Sequence, residues 1–239
     1  MMEAFRFKRF SISHQHSFKV GTDAVLLGSL TPVTSKTERV LDIGTGSGVI
    51  ALMLLQRGVS SAVGIEIDPI ATLEATENAR KSIWNEKIQI ACANFCDISV
   101  IRSLGFFDLI VSNPPFFSNS LKSPDNKRNT TRHNDESLPF ELLLKNASSI
   151  LSENGYFSLI LPVSQSELFT QKMAFYDFFP IEIYHIFSKP HKPEFRRILV
   201  LQKQPASQFF VEKSICIYQT DNSYSEDYKR LTNKFYVIF

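Results

Sequence analysis

The glycine-rich turn at residues 44–48 constrains the fold of this 239-residue chain more than any other stretch. An apolar run at residues 40–43 indicates a buried strand, the turn reads Gly44-Thr45-Gly46-Ser47-Gly48, and residues 49–55 have an apolar helical pattern. Strand, glycine turn and helix in this order are typical of the start of a mononucleotide-binding unit, because glycines let the main chain come close to a ligand. The G-x-G-x-G spacing differs from that of dinucleotide binders, and the Lys-Ser/Thr pair of a P-loop is missing.

Strand and helix patterns alternate through the rest of the chain. Further strands are predicted at residues 62–67, 88–91, 107–111, 156–161, 181–187 and 198–201, and further helices at 69–81, 138–151 and 164–175. We therefore expect an α/β fold with a Rossmann-like, seven-stranded, mostly parallel sheet, an antiparallel last strand and helices on both faces. The segments around the last two strands are too short for crossover helices, which is why those strands should be antiparallel. Residues 211–218 would add an edge strand.

The second, third and fourth strands are each followed by polar side chains at their carboxyl ends, where open α/β sheets bind ligands. Glu66 ends the second strand and can accept hydrogen bonds from ribose hydroxyls. Asp97 follows the third strand and can accept from an adenine amine, with Phe95 as an apolar wall; its position fits the cap of a helix at 98–104 equally well. Asp68 and Pro69 have the pattern of a helix start.

The fourth strand ends in Asn113-Pro114-Pro115-Phe116. Two prolines cannot continue a central strand because they lack N–H donors. An amide, a fixed carbonyl and an aromatic ring together suit a planar heterocycle with an exocyclic amine. The alternative is an ordinary Pro-Pro turn with a capping Asn and a core Phe.

The net charge is only +2, so the distribution of basic residues matters more than their total. Three segments are rich in Lys and Arg, and they would form a phosphate-binding surface if they share a face. We interpret the polar loop at 117–137 as a substrate clamp, although it also fits a flexible surface loop. The candidate RNA contacts are Arg6, Lys8, Arg9, Lys19, Lys122, Lys127, Arg128, Arg132, Lys192, Arg196 and Arg197.

Cysteine usage and hydropathy indicate the compartment. The three cysteines show neither a disulfide pattern nor zinc-ligand spacing. Residues 1–19 lack a signal-peptide pattern, and no apolar run is long enough to cross a membrane. We therefore expect a cytoplasmic, monomeric protein without a metal. Residues 1–38 should form an extension that covers the ligand site, and residues 39–239 a single domain.

G-x-G-x-G, Glu66, Asp97 and the N-P-P-F motif occur in the order found in class I S-adenosylmethionine-dependent methyltransferases, which the chain resembles over residues 39–202. Within that class it is similar to the amino-methyltransferases that carry [DNS]-P-P-[YFW]. Residues 18–28, the Arg132-His133 pair and Leu138 downstream resemble the bacterial valine-tRNA adenine-N6 methyltransferases, which modify the adenine just 3′ of the anticodon, nucleotide 37. The resemblance implies S-adenosyl-L-methionine as cofactor and tRNA as partner.

Each site residue has a role in this resemblance. Asn113 and Pro114 would accept the hydrogens of the reacting amine, Pro115 would fix their backbone, and Phe116 would stack on the base. Asp42 would hold the glycine loop or reach the methionine ammonium through water. The residues implied in cofactor binding are Thr22, Asp23, Asp42, Gly44, Gly46, Gly48, Glu66, Phe95, Asp97 and Asn113. Thr22 or Asp23 is also a possible cap of a short helix.

Other functions fit the same motif. An rRNA guanine-N2 or a protein glutamine-N5 methyltransferase could use the N-P-P-F site, but glutamine enzymes usually carry Tyr after the prolines and a separate N-terminal helical domain. DNA adenine is also compatible with the motif, yet no target-recognition domain is visible. A non-catalytic cofactor-binding partner of RNA is the alternative of a different class; the intact glycine turn and Asn113 argue against it.

Overall fold

The computed structural model describes residues 4–14, 19–114, 138–204 and 210–239. The strands are β1 (Phe5–Arg6), β2 (Ser11–Ile12), β3 (Arg39–Ile43), β4 (Ser61–Glu66), β5 (Ile88–Cys92), β6 (Phe107–Ser112), β7 (Leu151–Pro162), β8 (Phe179–Phe187), β9 (Glu194–Gln202) and β10 (Val211–Cys216). The helices are α1 (Thr22–Leu30), α2 (Val49–Gln56), α3 (Pro69–Lys81), α4 (Ile98–Ser103), α5 (Phe140–Ile150), α6 (Val163–Met173) and α7 (Glu226–Thr232). Strands β1 and β2 form a small antiparallel pair of their own.

The main sheet has the strand order β10-β8-β9-β7-β6-β3-β4-β5. All neighbours are parallel except that β9 is antiparallel to both β7 and β8. This arrangement confirms the mostly parallel sheet with an antiparallel strand near its end. The count differs from seven because the edge strand β10 pairs with β8 and makes eight.

Helices cover both faces of this sheet, and neighbouring residues of β3 pack against helices on opposite faces. Val40 packs with the apolar residues of α1 and α2, whereas Leu41 packs with those of α5 and α6. Successive side chains of a strand point to opposite faces, so a strand buried on both sides has the continuous apolar sequence seen here. The predicted α/β layering is therefore confirmed.

Strand β7 begins earlier than the sequence predicts. Leu151 already pairs with Phe107, and the register then shifts before Tyr156 pairs with Leu109. A side chain at Gly155 would lie 3.0 Å from the Asp108 carbonyl oxygen, so the irregular segment packs tightly against β6. Asn154 and Gly155 therefore lie within an irregular strand, and the preceding helix, predicted at 138–151, spans Phe140–Ile150.

Residues 4–14, here called the N-terminal strap, run along α3. Arg9 lies 5.3 Å from the ring centre of Trp84, which precedes β5 at the amino edge of the sheet. Farther along the strap, Ser13 is hydrogen-bonded to Asn78 of α3. Asn78 also donates to the carbonyl of Ser47 in the glycine turn, so the strap approaches the carboxyl edge at Ser13.

Helix α1 follows at the carboxyl edge, and its start differs from the prediction. Gly21 is the N-cap, and no side chain caps the helix. The proposed cap by Thr22 or Asp23 is therefore wrong; the Asp23 carboxylate is instead 2.8 Å from Nε of Arg196. No helix in the described ranges combines the length and the apolar composition that a membrane span requires.

Candidate functional site

The glycine turn after β3 is held by hydrogen bonds to the neighbouring strand. The amides of Gly44 and Thr45 both donate to the carbonyl of Ile65, each over 2.9 Å. Gly44 and Gly46 have φ angles of +68° and +54°, a region that other residues rarely adopt. Gly48, with φ of +82°, is the N-cap of α2. The glycines are thus required by the backbone path of the turn.

Asp42 lies completely buried beneath this turn. Its Oδ2 accepts hydrogen bonds from Oγ1 of Thr45 at 2.7 Å and from the amide of Ala51 at 3.2 Å. Its Oδ1 has no hydrogen-bond partner in the described part of the chain. Burial raises the pKa of Asp42 to about 7, while the bonds from Thr45 and Ala51 act in the opposite direction. Of its two predicted roles, holding the loop is the one these bonds support.

The Glu66 carboxylate at the tip of β4 is fixed by main-chain donors. Oε2 accepts from the amide of Gly46 at 2.9 Å, and Oε1 accepts from the amides of Ile67 and Asp68 at 2.9 and 3.1 Å. These bonds use three of the roughly four acceptor sites of a carboxylate, which leaves one on Oε2. Glu66 can therefore accept one ligand hydroxyl without losing a bond, and a second only if Gly46 releases it.

A first cavity of about 320 Å³ opens beside this carboxylate at the carboxyl edge. Gly44, Gly46 and Glu66 form one side, and the loop after β5 with Phe95 forms another. Asn113 lies at the end of the cavity, after β6. A mostly apolar slot with one fixed carboxylate fits a nucleoside, whose base needs apolar walls and whose ribose needs acceptors.

Asp97 lies outside the lining of this cavity. It is the N-cap of α4 and accepts hydrogen bonds from the amide and the hydroxyl of Ser99, which lower its pKa. The structure therefore shows the capping role that the sequence position of Asp97 also allowed, and the contact with adenine stays a prediction. The polar side chain that lines the cavity here is Asn94, which sequence reasoning missed although it directly follows the third strand segment.

A second cavity of about 590 Å³ lies on the other side of the glycine turn. Thr22 and Asp23 line it from α1, and Phe195 and Arg196 line it from β9. The Asp23–Arg196 ion pair joins these two walls, with side chains that are 18% and 24% exposed. Phe195 is a further aromatic residue of the site that the sequence did not single out.

Asn113 and Pro114 line both cavities and so mark the place where they meet. Ser112, the preceding residue, is buried and donates its hydroxyl to the carbonyl of Ile43 at 3.0 Å. That bond locks the end of β6 to the end of β3, and thus fixes Asn113 beside the glycine turn. Pro115 and Phe116 lie outside the described residues.

The predicted RNA contacts fall into different places. Lys8 donates to the carbonyls of Asn233 and Phe239, and Arg9 lies on Trp84 at the amino edge. Arg197 is held by Glu194 through two hydrogen bonds. Arg6 is exposed on β1. These four residues are not brought to the cavities.

Other members of that set lie at the carboxyl edge. Lys19 and Arg196 line the second cavity, and exposed Lys192 lies in the loop that joins β8 to β9. Lys122, Lys127, Arg128 and Arg132, with the proposed clamp, lie outside the described residues. Within the described ranges, no three His, Cys, Asp or Glu side chains are grouped so that they could hold a metal ion.

Comparison with known proteins places this geometry in a family. Residues 20–114 match the model of the ribosomal protein L11 methyltransferase family. A solved structure of a predicted O-methyltransferase from Agrobacterium tumefaciens superposes with a TM-score of 0.65 at 18% identity, covering 89% of this chain and 96% of that one. This likeness confirms the Rossmann-like methyltransferase fold.

Two curated relatives match almost the whole length. A tRNA1(Val) (adenine(37)-N6)-methyltransferase from Bacteroides fragilis is 40% identical over 98% of this chain and 97% of the relative. One from Pedobacter heparinus is 38% identical over the full length of both chains. By these full-length matches, the chain belongs to the family of the S-adenosylmethionine-dependent tRNA1(Val) (adenine(37)-N6)-methyltransferases.

Proposed function

We propose that this protein transfers a methyl group to the exocyclic N6 amine of adenine 37 in tRNA1(Val). The observation that carries the proposal is the position of Asn113 and Pro114 where the two cavities meet, beside the glycine turn. One cavity suits a nucleoside and the other leads to solvent between α1 and β9. The methyl donor and the adenine that accepts the methyl group can therefore approach Asn113 and Pro114 from two sides.

The residues of the first cavity fit the adenosine part of S-adenosylmethionine. Glu66 has an acceptor site left for a ribose hydroxyl, and the positive-φ glycines leave space for a ligand over the turn. Phe95 is a buried apolar wall, and Asn94 beside it offers an amide where Asp97 was expected. When bound, S-adenosylmethionine supplies an electrophilic methyl group attached to a sulfonium.

Asn113 and Pro114 act on the acceptor base. The amide oxygen of Asn113 and the carbonyl of Pro114 can each accept one N–H of the adenine amine. Both contacts favour a lone pair directed at the methyl group, and they stabilise the positive charge that develops on nitrogen as the new bond forms. Phe116 would stack on the base after it has left its own stack.

The wider proposal follows from this substrate. An enzyme of tRNA is expected to act in the cytoplasm, and one chain carries both cavities, so a monomer is sufficient. Residues 1–38 would form an extension over the ligand site, because Thr22 and Asp23 line the second cavity. Lys19, Lys192 and Arg196 stay as proposed RNA contacts.

Methyl transfer to defined RNAs tests the proposal. The protein is incubated with labelled S-adenosylmethionine and either a tRNA1(Val) transcript or one that carries guanine at position 37. Parallel incubations contain ribosomal RNA or ribosomal protein instead. We expect N6-methyladenosine only in the first transcript, and its loss in Asn113→Ala. Asn154→Ala is the matched control, since Asn154 is exposed and lies beside a cavity at the amino edge.

Each other result identifies a different function. Label in ribosomal RNA or in ribosomal protein would overturn the substrate and keep the fold. Label in ribosomal protein, but not in ribosomal RNA, would also agree with the family model that matches residues 20–114. Cofactor binding without transfer to any fraction would indicate a non-catalytic protein.

A further inference from the structure

Asn78 of α3 makes three hydrogen bonds to main-chain atoms of two separate segments. Its Oδ1 accepts from the amide of Ser13, and its Nδ2 donates to the carbonyls of Ser13 and Ser47, each over 2.9 Å. The residue is 2% exposed and lines neither cavity. Asn78 therefore does not contact the methyl donor or the acceptor base itself.

The two segments that Asn78 joins both lead to the second cavity. Ser47 belongs to the glycine turn and lines that cavity directly. Ser13 lies near the end of the N-terminal strap, and the chain returns at Lys19 to line the opposite side. One buried amide thus connects the turn on which the cofactor rests to the segment that leads into the acceptor side.

The bonding pattern of Asn78 makes this connection stiff. A short, fully buried side chain that uses three of its four hydrogen-bonding positions has little freedom to follow one segment without the other. Removal of the amide leaves the part-buried N–H and carbonyl of Ser13 and the buried carbonyl of Ser47 without this partner, which costs more than the loss of an exposed hydrogen bond. A shift of the glycine turn is therefore passed to the strap.

We propose that Asn78 is a positioning residue that couples cofactor binding at the glycine turn to the placement of the N-terminal strap. Binding of the cofactor orders the turn, Asn78 transmits that order to Ser13, and an ordered strap favours RNA binding at residues 19–23, which line the second cavity. The last step rests on the proposed function, whereas the first two concern only the protein and the cofactor product.

Asn146 of α5 provides a matched control. It is also 2% exposed, and its Nδ2 donates to the carbonyl of Phe95 at 2.6 Å. Asn146 therefore supports the other wall of the first cavity with the same chemistry, but none of its described bonds reaches the strap. Replacement of either asparagine by alanine removes a buried amide beside the cofactor site, and only Asn78→Ala cuts the connection to Ser13.

Hydrogen exchange with and without S-adenosylhomocysteine tests the coupling without RNA. In the unaltered protein, saturating ligand should slow exchange both in residues 44–50 and in residues 10–14. In Asn78→Ala the ligand should still slow residues 44–50 but leave residues 10–14 unchanged. Asn146→Ala should keep the slowing of residues 10–14, even though both variants bind the ligand about tenfold more weakly after loss of a buried hydrogen bond.

Two results would overturn the proposal: no effect of the ligand on residues 10–14 of the unaltered protein, or an equal effect in Asn78→Ala. Asn78→Leu serves if the alanine variant does not fold, because it fills a similar volume while it removes all three hydrogen bonds. Tritium transfer to tRNA at saturating cofactor then tests the RNA step. KM for tRNA should rise in Asn78→Ala relative to Asn146→Ala, and absence of transfer in every variant would count against the proposed function alone.

Discussion

Asp42 shows how a single buried carboxylate can set the pH dependence of stability. Burial raises its pKa to about 7 from the ordinary 3.8 of an aspartate, with only two hydrogen bonds to offset the loss of water. The folded protein therefore holds a proton that the unfolded chain releases between those two pH values. The contribution of Asp42 to the free energy of unfolding is fully present below pH 3.8, falls as pH rises to about 7, and stays constant above.

Asp42→Asn should remove this dependence. The amide oxygen of asparagine can still accept from Thr45 and Ala51, and it carries no charge at any pH. Relative to the unaltered protein, the variant should gain about 2 kcal/mol in the free energy of unfolding between pH 5 and pH 8. Urea denaturation of both proteins at a series of pH values measures the difference, from which the other titrating groups cancel. Two parallel curves would show that Asp42 is ionised throughout.

At the scale of elements, the helix starts show what the sequence could decide. Asp68 caps α3 and Pro69 follows it, as predicted, because both the cap and the proline act within a few residues of the chain. At Asp97 the sequence allowed either a helix cap or an adenine contact. Which of the two roles applies depends on the path of the loop after β5, which the sequence does not reveal. Asp23 is not the cap because α1 already begins at Thr22, and its carboxylate instead pairs with Arg196, 173 residues away.

In the sheet too, local features could be predicted from the sequence and features that depend on distant contacts could not. Buried strands and the glycine turn were predictable because their signals are local and continuous. The early start of β7 could not be predicted, because it depends on the pairing of Leu151 with Phe107 of the neighbouring strand β6. Likewise, the N-P-P-F motif placed Asn113 at a strand end, whereas the second cavity arises from residues of α1 and β9 that only the fold brings together.

Substitutions on the two sides of the loop after β5 test the assignment of Asp97. Asp97→Ala should lower the midpoint of urea denaturation, as the loss of an N-cap does. It should leave the Kd for S-adenosylhomocysteine within about twofold, because the carboxylate is bonded to Ser99 outside the cavity. Asn94→Ala should raise that Kd about tenfold, since its amide lines the cavity and its Oδ1 holds the amide of Cys96 at 2.8 Å.

Calorimetric titration and urea denaturation of both variants distinguish the two roles. A large loss of affinity in Asp97→Ala with unchanged stability would restore the adenine contact that the sequence suggested. If both variants bound S-adenosylhomocysteine as tightly as the unaltered protein, neither Asp97 nor Asn94 would contact the adenine base of the ligand.

At the scale of the whole molecule, the basic residues that the sequence grouped together lie at two edges of the sheet. Lys8 and Arg9 are occupied at the amino edge by main-chain carbonyls and by Trp84. Lys19 and Lys192 are exposed at the carboxyl edge, near the cavities. Charge counted along the sequence cannot reveal this division, because it is created by the direction in which each strand and helix runs.

The salt dependence of tRNA binding follows from that division. Each Lys or Arg that contacts a phosphate contributes about 0.7 to 1 to the slope of log KM against log salt concentration. The double variant Lys19→Ala/Lys192→Ala should therefore lower the slope by about 1.5 to 2. Lys8→Ala/Arg9→Ala removes the same charge from the amino edge and should leave the slope unchanged, although it lowers stability through the lost contacts with Trp84 and the C-terminal segment.

Methylation rates measured from 50 to 200 mM salt give the slopes for all three proteins. An equal decrease in both double variants would mean that the RNA surface extends across both edges, and that total charge rather than position governs binding. A decrease only in Lys8→Ala/Arg9→Ala would place the tRNA at the amino edge, far from Asn113. That result would be incompatible with a base that reaches the cavities, because the phosphates on either side of the reacting nucleotide must lie near the carboxyl edge.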